Sequence, residues 1–164
     1  MFGFLKHKDE GEKGRGKAAP GTEIYYDPAL VDGLKQDHQR LLALYVQLKE
    51  QFERGDFVGL AKAMEEFRWL FQEHLLIEKI RLYIYLEHML AGDTANLELI
   101  RHFKQEMDGI GREVTRFLRK YENLESDPAL AAGFRRELDQ IGNVLNRRIQ
   151  AEENQLYAFY LPII

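Results

Sequence analysis

Residues 60–88 read LAKAMEEFRWLFQEHLLIEKIRLYIYLEH, and the spacing within them decides the fold. Leu60, Met64, Phe67, Phe71, His74, Glu78, Arg81, Tyr85 and His88 follow one another at intervals of three and four. On a helix of about 3.6 residues per turn such positions form one stripe. The stripe starts apolar and becomes polar at His74. Imidazole and carboxylate groups are costly to bury unless they are paired or bound to a cation. A long helix with such groups on its inner face therefore predicts a bundle with a polar centre.

The same rule recurs on both sides of this stretch. Upstream, Val31, Leu34, His38, Leu41, Tyr45, Leu48 and Phe52 share one face, and Gly55-Asp56 separates that helix from the next. Downstream, Gly92-Asp93 is a second break, with Asp93 placed to cap the following helix. Ile100, Phe103, Met107, Ile110, Val114, Phe117 and Tyr121 carry the third stripe. Ser126-Asp127-Pro128 opens the fourth with a cap and an early proline. Its stripe is Phe134, Leu138, Ile141, Leu145, Arg148, Glu152 and Phe159. Four long helices with short connections predict an all-α, up-down-up-down four-helix bundle.

Composition narrows the function classes. The chain has 164 residues, is 45% hydrophobic and 30% charged, and carries a net charge of −4, which suits one domain without a basic footprint for nucleic acid. There is no cysteine, which excludes thiolate metal sites, iron–sulfur clusters, thiol catalysis and disulfides. No apolar run reaches membrane-spanning length, so a cytoplasmic protein is expected. Residues 1–22 are rich in Gly and Lys and end in Pro20-Gly21. They read as a flexible, solvated tail, with Phe2, Phe4, Leu5, Lys6 and Lys8 as its only features for a surface or partner, ahead of the bundle at 23–164.

At about 1.5 Å rise per residue, the antiparallel bundle places His38, His74, Glu78, Arg148 and Glu152 in a slab a few turns thick. Met107 is the third helix's residue at that level. His74 and Glu78, four apart, share a face and can offer two ligands to one ion. His38 adds a second imidazole and Glu152 a second carboxylate, a set that suits iron, manganese or zinc. The spacing also fits buried ion pairs within each helix, Glu78 with Arg81 and Glu152 with Arg148. Gly109 and Gly111 interrupt the third helix, each at about 1 kcal/mol against alanine. They permit close helix approach, leave room for a small ligand such as dioxygen, or mark a kink.

These residues resemble the hemerythrin-like, or HHE cation-binding, family. The resemblance is carried by Asp37-His38 and Leu41, by His74 to Glu78, and by Glu152-Glu153 with Leu156-Tyr157 beyond, across about residues 28–162. It implies a four-helix bundle with two bridged irons, in which His38 and His74 match the histidines of one iron and Glu78 and Glu152 the bridging carboxylates. The family would carry histidines where Met107 and Arg148 stand. The resemblance therefore implies one ion at His38, His74, Glu78 and Glu152, iron or else manganese or zinc, rather than a di-iron site. The other reading is a metal-free network pinned by Arg148 and Arg81. His102 lies one position off the third stripe and reads as a surface residue.

A second pattern is similar to the regulator-of-sigma-D (Rsd/AlgQ) family of anti-sigma proteins. It runs through Leu30-Val31-Asp32, Leu41-Leu42, Tyr45, Phe67, Leu75, Tyr83, His88, Phe134, Leu138, Ile141-Gly142, Leu145, Arg148 and Glu152. It implies a sigma factor as partner and no metal. No nucleophile–base pair and no Gly-rich phosphate loop is apparent, so no enzyme is expected. The leading expectation is a non-enzymatic, hemerythrin-like metal-binding domain in sensing or regulation. The alternative is a metal-independent anti-sigma regulator.

Overall fold

The computed structural model describes residues 16–164. Among them the architecture is all-helical, four long helices in up-down-up-down order. Helix α1 spans Leu30–Glu53. Helix α2, residues 57–89, runs as α-helix over Phe57–Ile77, widens to a π-helix over Glu78–Tyr83 and returns to α-helix over Ile84–Met89. Helix α3 spans Thr94–Lys120. Helix α4 spans Ala131–Ala151, and a π-helical turn, Glu152–Leu156, and a 3₁₀ turn, Tyr157–Phe159, extend it. Each helix packs mainly on two neighbours, α1 on α2 and α4, and α3 on the same pair.

The connections are short and chemically explicit. Gly55 takes φ +71°, a left-handed conformation open to glycine. Asp56 then caps α2 by accepting from the Gly59 N–H at 3.0 Å. Asp93 caps α3 as expected, accepting from the Asn96 N–H at 3.2 Å. The fourth helix starts differently from the expectation. Asp127 makes no side-chain cap, and Pro128–Leu130 form a 3₁₀ turn before α4 begins at Ala131. Proline fixes φ for a first turn but does not decide whether that turn is 3₁₀ or α.

The core falls into two apolar halves. One is built on Leu41, Leu48, Phe67, Phe71, Ile110, Val114, Phe134, Leu138 and Leu145. The other is built on Leu34, Leu82, Tyr83, Tyr85, Leu86, Ile100, Phe103, Leu156, Tyr157 and Tyr160. Between the halves lies a polar layer. It interrupts α1 at His38, α2 at His74 and Glu78, and α4 at Arg148 and Glu152, all buried. Glycine allows two close approaches. A side chain at Gly142 would collide with the Tyr45 ring, whose hydroxyl donates to the Leu138 carbonyl at 3.2 Å. A Cβ at Gly111 would lie 3.3 Å from Leu75 Cδ1, on the wall of a groove between α2 and α3.

Of the tail expected at 1–22, residues 1–15, including Phe2, Phe4, Leu5, Lys6 and Lys8, lie outside the described residues. Of residues 16–22, Ala19 packs on the bundle, while residues 16, 17, 20 and 21 are exposed. Ala19 is 1% exposed within the second apolar half, and His88 Nδ1 donates to the Pro20 carbonyl at 2.9 Å. The C-terminal segment joins them at the same end. The Asp27 N–H donates to Tyr160 Oη at 2.8 Å, and Tyr85 Oη donates to the Leu161 carbonyl at 2.7 Å. Among the described residues no helix is long and apolar enough to cross a membrane.

Candidate metal centre

The polar layer brings four expected donors together. One ligand atom from each of His38, His74, Glu78 and Glu152 lies within 4.8 Å of every other, and all four residues are buried. His38 Nε2 is 3.2 Å from Glu152 Oε2, and His74 Nε2 is 3.1 Å from Glu78 Oε1. The outer nitrogens decide how the rings are used. His38 Nδ1 donates to Glu153 Oε2 at 3.1 Å, and His74 Nδ1 donates to Asp37 Oδ2 at 3.0 Å. An ionised carboxylate only accepts, so each Nδ1 carries a proton, and each Nε2, which also faces a glutamate oxygen, would give up its own proton on turning a lone pair to an ion. A carboxylate behind each imidazole is the arrangement that orients histidines toward a metal.

Arg148 occupies the other side of the layer. Its Nε donates to Glu152 Oε1 at 2.9 Å and its Nη2 to Tyr83 Oη at 2.7 Å, while the guanidinium lies over the Phe103 ring at 4.9 Å. Nη1 is 3.6 Å from Glu106 Oε1, too long for a hydrogen bond. Nη1 and Glu78 Oε2 are buried without a hydrogen-bond partner among the described residues. Arg148 thus pairs with Glu152 and leaves Glu78 with an unused acceptor. A cation placed among the donors would use it.

The electrostatics follow from burial and crowding of charge. Burial disfavours the His74 cation, but the hydrogen bond and charge of Glu78, with Asp37 and Glu152, overcome it and raise the pKa to about 9. Burial and the neighbouring Glu152 charge push Glu78 up to about 7. Burial also opposes the Glu152 anion, yet hydrogen bonds from the His38 and Glu78 side and the Arg148 cation hold it down at about 2. Tyr157 and Tyr83 are pushed far above the usual phenol range by burial and then by the carboxylates, with Arg148 opposing the rise at Tyr83.

Three groups that the helical period does not assign to the site belong to it. Asp37 and Glu153 stand next to the stripe and reach back to the histidines. The third is Tyr157, whose hydroxyl lies 2.9 Å from Glu78 Oε1, 3.1 Å from Glu152 Oε2 and 3.3 Å from His38 Nε2. The signal is a repeated hexapeptide. Glu78-Lys79-Ile80-Arg81-Leu82-Tyr83 and Glu152-Glu153-Asn154-Gln155-Leu156-Tyr157 both read Glu-x-x-x-Leu-Tyr. The structure makes each π-helical from its glutamate onward. A π-turn closes i→i+5 bonds, so it returns the tyrosine five residues on to the glutamate's face.

That turn also corrects two sequence readings. Arg81, expected on the inner stripe and in a metal-free network, is exposed and pairs at 3.6 Å with Asp27. The wider turn rotates position i+3 outward and brings Leu82 and Tyr83 in. Phe159, expected in the fourth stripe, is only half-buried, whereas Leu156, Tyr157 and Tyr160 are buried. His102 stays at the surface, 3.9 Å from Glu106. Met107 is buried and lines a cavity of about 20 Å³ beside His38, His74, Arg148 and Glu152, room for about one water molecule. A larger groove of about 820 Å³ between α2 and α3 reaches the centre at Glu78 and Tyr83.

The donor set fits a divalent ion. Its span is close to twice the roughly 2.1 Å bond of nitrogen and oxygen ligands, and two imidazoles with two carboxylates suit iron, manganese or zinc. In comparison with known proteins, residues 29–160 match the family described as hemerythrin HHE cation binding domain. No curated protein and no solved structure matches the chain. The resemblance to the regulator-of-sigma-D family is not borne out by the family match.

Proposed function

The chain belongs to the hemerythrin HHE cation-binding family, and from that premise we propose that it binds one metal ion, iron first, through His38, His74, Glu78 and Glu152. The observation that carries the proposal is the pair of imidazoles, each held by a carboxylate at Nδ1 with Nε2 beside a glutamate oxygen. Arg148 supplies a permanent cation on the side where the family's second iron would require a histidine. This supports one ion per chain rather than two. Iron, when bound, supplies a redox-responsive Lewis acid. The residues of this chain fix its ligands and balance its charge.

Such a site suits a non-enzymatic sensor or regulator better than a catalyst. One ion with a buried arginine beside it lacks the metal pair of the family's oxygen chemistry, and the cavity among His38, His74, Arg148 and Glu152 has room for about one water. Metal gain or loss would act on the two π-turns, which lead into the end of the bundle where Ala19, Pro20 and the segment around Tyr160 pack.

Elemental analysis of protein loaded anaerobically with ferrous iron is expected to give one ion per chain. Two ions would overturn the role given to Arg148, and none would overturn the site. An ion that binds only the folded state stabilises it by mass action, by about 2.7 kcal/mol at a free concentration a hundredfold above Kd. Chelation should remove that increment in a thermal melt.

The ligands themselves are tested by truncation. His74→Ala and Glu78→Ala are each expected to abolish stoichiometric uptake while far-ultraviolet circular dichroism keeps its helical signal. Stoichiometric metal in both variants would exclude the site as drawn.

A further inference from the structure

We propose that Tyr157 is itself a ligand to the ion, its phenolate oxygen completing the set of His38, His74, Glu78 and Glu152. The proposal rests on the one-ion reading and specifies its coordination. Nothing in the helical period or in the family match assigns this residue a role.

The first argument is a count of protons. The Tyr157 hydroxyl faces Glu78 Oε1 at 2.9 Å, Glu152 Oε2 at 3.1 Å and His38 Nε2 at 3.3 Å. The two glutamate oxygens are acceptors when ionised, and His38 Nε2 is an acceptor in the neutral ring because Nδ1 already donates to Glu153. One phenolic proton cannot serve three acceptors. A cation that replaces that proton serves all of them and the phenolate together.

The second argument is charge. A ferric ion and Arg148 bring four positive charges into the buried layer. Glu78 and Glu152 bring two negative ones, the phenolate adds a third, and the part-exposed Asp37 and Glu153 stand behind the imidazoles. Buried charge is tolerated when it is matched within the cluster. Ligation breaks the Tyr157 O–H bond, and its electron pair becomes the bond to the metal. The proton leaves to solvent, one per ion, and no electron is transferred.

The third argument is placement. Tyr157 reaches the glutamate's face only through the π-helical turn Glu152–Leu156. Its counterpart Tyr83 arrives by the same device, but its oxygen already accepts from Arg148 Nη2 at 2.7 Å. The two halves of the repeat are therefore divided, one phenol toward the ion and one toward the arginine.

The test is the spectrum of the full chain loaded with ferric citrate, with iron per chain measured on the same sample. The expected result is one iron with a visible phenolate-to-iron charge-transfer band, and with tyrosinate ring modes enhanced in the resonance Raman spectrum. In Tyr157→Phe the band should disappear while iron is retained, and in Tyr83→Phe it should persist. Iron bound by the wild type without the band overturns the proposal and leaves the one-ion site standing. A band that survives Tyr157→Phe and vanishes in Tyr83→Phe also overturns it and moves the ligand to the other tyrosine. No iron in the wild type overturns both readings. If Tyr157→Phe fails to fold, Tyr83→Phe decides: a band that persists without Tyr83 is the expected result, and a band lost with Tyr83 overturns the proposal.

Discussion

Arg148→Ala is expected to lower the unfolding free energy of the metal-free protein by about 3–5 kcal/mol, the range for removing one partner of a buried ion pair. Arg148 is 3% exposed and Glu152 2%. The guanidinium satisfies Glu152 Oε1, donates to Tyr83 and covers the Phe103 ring. Alanine removes all three contacts and leaves a carboxylate buried beside Glu78, with the His74 cation to offset two acids. Denaturant titration in the presence of chelator measures the effect directly. A loss below about 1 kcal/mol, the scale of an exposed pair, would mean that water or rearrangement replaces the guanidinium and that it does not anchor the layer. Metal should restore part of the loss, because the ion supplies charge to the same carboxylates. Arg148→His is the companion experiment. It keeps a polar ring at the position, removes the permanent cation and adds a donor, so iron per chain is expected to rise above one.

The helical period was sufficient for the bundle and for four donors because His38, His74, Glu78 and Glu152 all lie on stretches of ordinary α-helix or at their ends. It failed just beyond the glutamates. After Glu78 the period selects Arg81, yet the chain buries Leu82 and Tyr83. After Glu152 it leads to Phe159, yet the chain buries Leu156 and Tyr157. In both places the backbone widens to a π-turn, and a rule built on 3.6 residues per turn assigns the wrong face. Only the repeated Glu-x-x-x-Leu-Tyr marks these turns in the sequence, and its meaning appears once two copies are seen to share a geometry. Asp37 and Glu153 entered the sequence reading as part of the family resemblance but without a role, for a simpler reason. They neighbour the stripe rather than belong to it, and a carboxylate reaching sideways to Nδ1 leaves no periodic trace. At Gly111 three readings had equal standing: a Cβ there would lie 3.3 Å from Leu75 Cδ1, and the same glycine lines the groove between α2 and α3.

The metal-free and metal-loaded proteins are expected to respond to pH in opposite directions between about pH 5 and pH 9. In the metal-free protein His74 is raised from 6.5 to about 9. Its contribution is complete below pH 6.5 and is lost as pH rises through 9. Glu78 is raised from 4.5 to about 7, so its contribution has the same sense, complete below pH 4.5 and lost as pH rises through 7. Glu152 is lowered from 4.5 to about 2, so it stabilises above pH 4.5 and fails only as pH falls through 2. Stability should therefore be greatest near pH 4.5 and decline toward pH 9. The rise of His74 alone corresponds to roughly 3 kcal/mol. Because the three groups share their charges and titrate as a set, the decline is expected on the order of that figure rather than as a sum of separate contributions. The ion reverses the slope. It binds deprotonated ligands and competes with protons for them, so its affinity and its stabilisation grow over the same interval. Zinc is a convenient redox-silent probe, and denaturant midpoints at pH 5, 7 and 9, chelated and zinc-loaded, should diverge steadily with pH. Parallel curves would show that protons and metal do not compete for His74 and Glu78, and the ion would have to be held elsewhere.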